Sequence, residues 1–425
     1  MTGFQRKNGV LYADNVPLPE LAAAYGTPSY VYSAGKMREN INALRGALEQ
    51  ALPQDRQPLI AFACKANSNL AVLKLLQSHG LGCDVVSGGE LQRAIAAGIA
   101  PDKIVYSGVG KSDEELLAAL NADILQINVE SREELERLAA LAETEGKIAR
   151  IAFRLNPDVD ADTHHKISTG RSEDKFGMPR AEIEVLYQWA ADHPHLQPQG
   201  LQVHIGSQIS RMAPFRQAYE RLADLAKFIQ DKGLPLEQLD LGGGLGIIYK
   251  DEQAPDLEAY AGIIRDVILP RGTKIILEPG RFIVGDAGLL LTKASYIKTG
   301  ETRRYIILDA GMNDLMRPAL YDAYHPALPV AEREGASIVT YDIVGPVCET
   351  GDTFAKDLPL PETHKGDLFA LMAAGAYGFV MASNYNTRPL PPEILVDGDK
   401  HAIIRQKQSV HDILEKEQIP GWLTA

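Results

Sequence analysis

The sequence predicts an α/β protein: a (β/α)8 barrel over residues 35–288, followed by an all-β domain over residues 289–425 that the N-terminal segment, residues 1–34, joins. Three observations carry this. Short apolar runs alternate with longer amphipathic stretches eight times over roughly 250 residues, the usual size of such a barrel. Nearly every run ends in a chemically loaded group. Beyond Gly288 the helical alternation fades into short strands separated by turn residues.

The eight runs are Leu59–Ala63, Cys83–Val86, Ile104–Ser107, Ile124–Val129, Arg150–Leu155, Leu201–Ile205, Leu239–Leu241 and Lys274–Leu277. The amphipathic stretches between them include Glu90–Ala97, Glu114–Leu120, Arg132–Glu143, Ala181–Ala190 and Phe215–Gln230. Continuous apolar strands alternating with helices indicate a parallel sheet covered on both faces. A doubly wound open sheet is the rival, and the strand count favours the barrel. So does the convergence at the strand ends of Lys65, Asp84, Arg154 with Asn156, His204 with Ser207, Asp240 with three glycines, and Glu278 with Arg281. Helix capping explains some of these groups but not all of them together.

The stretch from Asn156 to Met178 shows no clear periodicity and reads as a lid or specificity loop. After Gly288 the strands are Leu289–Ile297, Arg304–Leu308, Ala336–Val344, Asp367–Met372 and His401–Gln406, expected as a barrel or sandwich. Val10–Ala13 and Ser29–Tyr32 should pair with them, because isolated short strands need partners. Val410–Glu415 reads as a short helical turn.

The chain has 425 residues, 45% of them hydrophobic and 23% charged, with a formal net charge of −13. Such a balance disfavours a nucleic-acid or anionic-membrane surface, so an anionic ligand must be held by a local cluster of basic groups or backbone amides. Cys64, Cys83 and Cys348 lie far apart and form neither a disulfide framework nor a zinc signature. No metal site is expected. No signal peptide and no membrane-spanning run is legible, so the reading is a cytoplasmic protein.

Lys65 closes the first apolar strand. Alone, this stretch favours a lysine that snorkels to solvent or pairs with a carboxylate. A desolvated amine is also a nucleophile suited to Schiff-base chemistry. Asp240-Leu241-Gly242-Gly243-Gly244-Leu245-Gly246 places a glycine run after the seventh strand, a common place for a phosphate site in such barrels. It lacks the dinucleotide spacing, and a tight turn is the plainer account. Glu278-Pro279-Gly280-Arg281 follows the eighth strand. Its carboxylate either pairs with Arg281 or faces a heteroaromatic nitrogen, the partner a pyridinium cofactor needs. His204 could be a satisfied core histidine or could stack on a flat ring, with Ser207 adding a hydroxyl to a phosphate. Together these groups match pyridoxal 5′-phosphate: aldehyde, phosphate, ring nitrogen and ring face.

The chain resembles the diaminopimelate decarboxylases, within the alanine-racemase-like fold type of pyridoxal-phosphate enzymes and grouped with the ornithine and arginine decarboxylases. The resemblance spans nearly the whole chain. It rests on Phe62-Ala63-Cys64-Lys65-Ala66-Asn67, His204-Ile205-Gly206-Ser207-Gln208, Gly242-Gly243-Gly244, Glu278-Pro279-Gly280-Arg281, Met316 through His325, Gly345 through Asp352, Gly375-Ala376-Tyr377 and Lys166 through Gly170. Departures are small: Phe62 where tyrosine is common, Cys64 at a variable position, and Thr350 where serine is frequent.

The resemblance implies a Schiff base on Lys65 and a Glu278 that keeps the pyridine nitrogen protonated. It implies phosphate held by Gly243, Gly244 and the backbone near Gly280 and Arg281, with His204 and Ser207 beside the cofactor. Arg281, Arg317 and Tyr321 would meet a distal carboxylate and Glu349 a distal ammonium. Tyr377 would sit over cofactor and substrate. Cys348, which in isolation reads as a buried small hydrophobe, becomes the proton donor, with Lys65 the other candidate. Cys348 and Glu349 would come from the partner subunit of a homodimer whose active sites are shared across the interface. The implied reaction converts meso-2,6-diaminopimelate to L-lysine and CO2, the last step of lysine biosynthesis. Decarboxylation of ornithine, arginine or carboxynorspermidine is the alternative, and a non-catalytic pyridoxal-phosphate-binding protein a more distant one.

Overall fold

The structure is a computed structural model that describes residues 2–160, 169–170 and 173–423. It divides into two compact units. One comprises Asn40–Ile248 and Glu252–Ile283, the other Met1–Glu39, Tyr249–Asp251 and Val284–Ala425. Among the described residues, no helix is long and apolar enough to cross a membrane.

The first unit is a closed barrel of eight parallel strands. In chain order they are Leu59–Ala63, Gly82–Val85, Ile104–Tyr106, Gln126–Val129, Ala149–Leu155, Leu196–Val203, Gln238–Asp240 and Lys274–Leu277. Each pairs with the next, and the last closes on the first through Ile276–Leu59 and Leu277–Ile60. The helices start where the sequence supplies caps. Asn69, Ser87 and Ser131 accept from backbone N–H groups of the first turns of Leu70–Ser78, Gly88–Ala96 and Arg132–Thr144. Ser112 and Glu115 form a reciprocal capping box on Asp113–Ala122, satisfying N–H groups that a helix start leaves without partners.

The sixth strand begins earlier than its apolar run, at Leu196 instead of Leu201. The polar and proline residues Gln197-Pro198-Gln199 hide it, and the register shifts between Pro198 and Gly200. Inside the barrel, Ala61, Val105 and Ile276 meet in a small apolar cluster, with Leu59 and Leu125 packed against it. A second layer is polar. Gln126 Nε2 donates to Asn128 Oδ1 at 2.7 Å, Gln238 Nε2 to Gln126 Oε1 at 2.5 Å, and Asn128 Nδ2 to Ser107 Oγ at 3.1 Å. Barrels of this kind usually fill their interior with branched aliphatic side chains. A buried amide network persists only when its members are satisfied, and this one ends on the Asp240 carboxylate, which Gln126 and Asn128 reach at 3.3 and 3.4 Å.

The second unit carries one mixed nine-stranded sheet, the form taken by the expected barrel or sandwich. Its main path runs Thr353–Pro361, Ile338–Val344, Arg304–Leu308, Gly288–Thr299, Ser29–Ser33, Glu393–Asp397 and Lys400–Arg405. Leu368–Leu371 pairs with Gly288–Thr299 and Ala327–Pro329. Thr353–Pro361 escapes pattern reading because Pro359 and Pro361 interrupt it, and it sits at a sheet edge, where proline is tolerated. Of the N-terminal strands only Ser29–Ser33 enters the large sheet. Val10–Ala13 forms a separate three-stranded sheet with Phe4–Lys7 and Val16–Pro17. Both share one core, in which Leu11, Ala13 and Val16 meet Val31, Leu289, Leu291, Ile394 and Val396. The short helix near the end spans Val410–Leu414.

Candidate active site

Lys65 lies in a single tight turn, Cys64–Ala66, directly after the first barrel strand. Ala63 pairs in register with Asp84 of the second strand, so the lysine reaches back and donates from Nζ to Asp84 Oδ2 at 3.2 Å. The Lys65 side chain keeps 35% of its surface exposed, whereas Asp84 has none. Asp84 Oδ1 is buried without a hydrogen-bond partner among the described residues. The ammonium is thus tethered at the barrel mouth but reachable.

The glycine run after the seventh strand is shaped by close approach. Gly242 has φ +64°, and a Cβ on Gly243 would stand 2.2 Å from the Glu278 carbonyl oxygen; neither position accommodates another residue without rearrangement. The loop is laced to the sixth-strand loop. Gly243 N–H donates to His204 Nδ1 at 3.1 Å and Ile209 N–H to the Gly244 carbonyl at 2.9 Å. Gln208 donates from Nε2 to the Ile247 carbonyl at 2.6 Å and accepts from Ile247 N–H at 3.1 Å. Its amide therefore acts as a strap that mimics a strand pair. Because His204 Nδ1 accepts, that nitrogen carries no hydrogen. Burial, then Lys65 and Arg154, hold the imidazole well below its usual range, so the ring is neutral.

Glu278 follows the eighth strand, its N–H donating to the Gly242 carbonyl at 2.8 Å. Its carboxyl is buried. Gln202 Nε2 donates to Oε2 at 3.3 Å, and Oε1 has no hydrogen-bond partner among the described residues. Burial, reinforced by Asp240 and Asp84 and opposed by Lys65, pushes this carboxyl well above the usual range. Asp240 is shifted the same way, again chiefly by burial. Such a site favours whatever brings a positive N–H to Glu278.

Arg281 opens the short turn Arg281–Val284 and donates from Nε and Nη2 to Ser207 Oγ, both at 3.2 Å. Ala63 N–H donates to the Pro279 carbonyl at 3.2 Å, so the backbone around Gly280 is sewn to the strand that precedes Lys65. Arg154 Nη1 pairs with Glu130 Oε1 at 2.7 Å, and its guanidinium lies 4.8 Å from the Phe176 ring centroid. Burial works to raise the Glu130 carboxyl, and Arg154, Lys111 and Gly108 N–H together bring it below its ordinary value. Glu130 Oε2 also accepts from Gly177 N–H at 3.3 Å, anchoring the downstream stem of the loop after the fifth strand. Lys166, Ile167 and Ser168 of the loop motif lie outside the described residues, while Thr169 Oγ1 donates to the His204 carbonyl at 3.2 Å.

The remaining predicted residues belong to the β unit. Arg317, nearly buried, opens the one-turn helix Arg317–Tyr321, and Tyr321 closes it. Cys348 and Glu349 are exposed; Cys348 is therefore not the buried small hydrophobe it resembles in isolation. Their loop is organised by the buried Asp352, whose oxygens accept from Val347 N–H and Met312 N–H, each at 2.6 Å. Glu349 Oε2 accepts from Tyr385 Oη at 2.9 Å. Tyr377 holds a left-handed backbone, φ 56°, a conformation that persists only where the surroundings impose it.

Sequence reading assigned no role to Gln202, Gln208 or Tyr249, although Gln208 closes the motif that begins at His204. Gln202 alternates inward along its strand with the apolar Leu201 and Val203, a signal that period-two reading could have found. Gln208 and Tyr249 act through contacts between segments distant in sequence, which no local pattern discloses.

The family model described as pyridoxal-dependent decarboxylase, pyridoxal binding domain, matches residues 38–285. A diaminopimelate decarboxylase of Zymomonas mobilis is 48% identical over 425 residues, covering all of both chains. Among solved structures, the diaminopimelate decarboxylase of Helicobacter pylori complexed with L-lysine aligns with TM-score 0.89 and 41% identity, covering 94% of this chain and 98% of that one. The enzyme of M. jannaschii in co-complex with L-lysine aligns with TM-score 0.94 and 36% identity, covering 99% of each. Identity at this level over the full length of both units, on a barrel that gathers Lys65, the glycine loop and Glu278 at its strand ends, leads to one conclusion: the chain belongs to the diaminopimelate decarboxylase family of pyridoxal-dependent decarboxylases.

Proposed function

We propose that the protein decarboxylates meso-2,6-diaminopimelate at its D-configured centre and releases L-lysine and CO2. The observation that carries the chemistry is Glu278: a buried carboxyl that accepts from Gln202 through Oε2, with Oε1 lacking a hydrogen-bond partner among the described residues. A protonated ring nitrogen is the donor such an oxygen lacks. Lys65, tethered yet reachable, and a glycine loop too tight for any Cβ at Gly243 fit the aldehyde and phosphate of the same cofactor. When bound, pyridoxal phosphate supplies an aldehyde for imine exchange and a ring that takes up the electron pair left as CO2 departs.

The chain's own residues do the rest. Lys65 would hold the cofactor and yield it to substrate, with Asp84 keeping the amine in place. Gly243, Gly244, Gly280 and Arg281 would surround the phosphate, with Ser207 oriented by Arg281. His204, neutral and oriented by Gly243, presents a flat uncharged ring face. Arg281 and Arg317, with Tyr321, would receive the distal carboxylate, since a guanidinium fork matches a carboxylate. Glu349 would receive the distal ammonium, and Tyr377 would cover cofactor and substrate. Cys348 or Lys65 would return one proton to the carbon that lost CO2.

The active protein in this reading is a homodimer in which Cys348 and Glu349 serve the partner's barrel; their exposure on a loop stiffened by Asp352 supports it. The free thiols of Cys64, Cys83 and Cys348 fit a reducing, cytoplasmic setting. The relatives solved with L-lysine support the product named here. The test is incubation of the cofactor-saturated protein with meso-diaminopimelate, ornithine and arginine separately. Equimolar CO2 and L-lysine are expected from the first alone, and no CO2 from it would sink the proposal.

A further inference from the structure

The motif that contains Arg317 also contains a histidine without a role so far. His325 is 1% exposed and lies beyond the helix Arg317–Tyr321, whose end turns on Asp322 in the left-handed conformation. Its Nδ1 stands 2.8 Å from the Met372 carbonyl oxygen and its Nε2 2.9 Å from Arg317 Nη1. A carbonyl only accepts, so Nδ1 carries the hydrogen. A guanidinium only donates, so Nε2 is the bare acceptor. The two contacts therefore select one state of the ring, neutral and protonated on Nδ1. Tyr249 completes the arrangement. Its ring lies edge-to-face against His325 at 5.5 Å and 4.8 Å from the Arg317 guanidinium carbon. The guanidinium is held at one N–H by His325 and across its face by Tyr249.

The choice of a neutral acceptor matters. A carboxylate in the same place would also orient Arg317, but it would form an ion pair with it and compete with any anionic ligand. An imidazole fixes the guanidinium without itself adding a negative charge beside it.

We propose that His325 is a positioning residue for substrate recognition: its Nδ1-protonated imidazole, tied to Met372, sets the Arg317 guanidinium in the orientation that receives the distal carboxylate. This rests on the reading of Arg317 given under Proposed function.

The test compares the binding of L-lysine and of 1,5-diaminopentane, which is lysine without its carboxylate, to the cofactor-loaded protein by calorimetry. Arg317→Gln tests the underlying reading and should erase the preference for lysine; if the preference survives, it is the role of Arg317 that fails. Given that loss, His325→Phe keeps a ring against Tyr249 but removes the acceptor. It should weaken lysine roughly tenfold or more, the scale of a hydrogen bond to a charged group, and leave diaminopentane unaltered. An unaltered lysine affinity, or equal weakening of both ligands, overturns the proposal. His325→Gln and His325→Glu decide the matter even if the phenylalanine variant fails to fold. Both can accept from Arg317, but only Glu cancels its charge. Gln should retain the lysine preference within about threefold, and Glu should lose it. Equal behaviour of the two overturns the inference.

Discussion

Lys65 Nζ and Asp84 Oδ2 stand 3.2 Å apart, a partly exposed lysine against an aspartate with no exposed side-chain surface. The contact joins the ends of the first two barrel strands and holds the amine where a ligand can reach it. Borohydride treatment of the cofactor-loaded protein should fix one pyridoxyl group on Lys65, seen as a mass increase on the peptide that carries it. Lys65→Ala should show none. A pyridoxyl group on another lysine in the wild-type protein would remove Lys65 from its role.

Glu278→Gln keeps the shape of the side chain and discards its charge. Because burial already pushes this carboxyl well above its usual range, the amide should not lower the melting temperature of the cofactor-free protein. Turnover should fall by roughly a hundredfold or more, as when a preorganised charge is removed from an active site. A variant that melts normally and turns over at the wild-type rate would show that the ring nitrogen does not depend on Glu278.

The Gln208 strap predicts a phosphate-specific defect. Gln208→Ala removes both amide contacts to Ile247 and should loosen the loop that carries Gly243 and Gly244. Pyridoxal 5′-phosphate should bind roughly tenfold more weakly, on the scale of two lost neutral hydrogen bonds, while pyridoxal, without the phosphate, should bind as before. A matched loss for both ligands would place the effect elsewhere.

Stability should depend on pH through Glu90. Burial raises its carboxyl from the ordinary 4.5 to about 7, against the pull of Val86 N–H. The folded protein thus keeps a proton that the unfolded chain has released. Its contribution is complete below the unfolded value and is lost as pH rises through about 7. Glu90→Gln should flatten the decline of melting temperature between about pH 5 and pH 8. Parallel curves for the two proteins would reject the assignment.

A shared active site predicts complementation. With Cys348 as the proton donor, Lys65→Ala and Cys348→Ala homodimers should each be nearly inactive; a Cys348→Ala homodimer that keeps its activity would give that role to Lys65. Unfolded and refolded together, they should recover roughly a quarter of wild-type activity, because half the dimers are mixed and each mixed dimer has one intact site. No recovery, with mixed dimers confirmed by mass, would mean that Cys348 serves its own chain's barrel.

The barrel was legible because its strands are buried on both faces. Burial makes them continuous apolar runs, and the observed strand Leu59–Ala63 coincides with its run. Where a strand carries polar or proline residues, as in Leu196–Val203 and Thr353–Pro361, the run is broken and the boundary or the strand itself is lost to pattern reading. Lys65, Glu278 and the glycine run were legible as residue types at strand ends, since desolvating a charge there needs a reason.

What the sequence by itself determined is thus the barrel, the cofactor chemistry and the family, each carried by local pattern or motif. What only the tertiary structure decided is how those groups are held. That His204 accepts from Gly243, that Gln208 straps Ile247, and that Arg317 is steadied by His325 and Tyr249 are facts of distance and angle between segments far apart in the chain. The physical reason is that hydrogen bonds depend on direction as well as composition. A motif names a donor and an acceptor, but only the fold decides which of them meet.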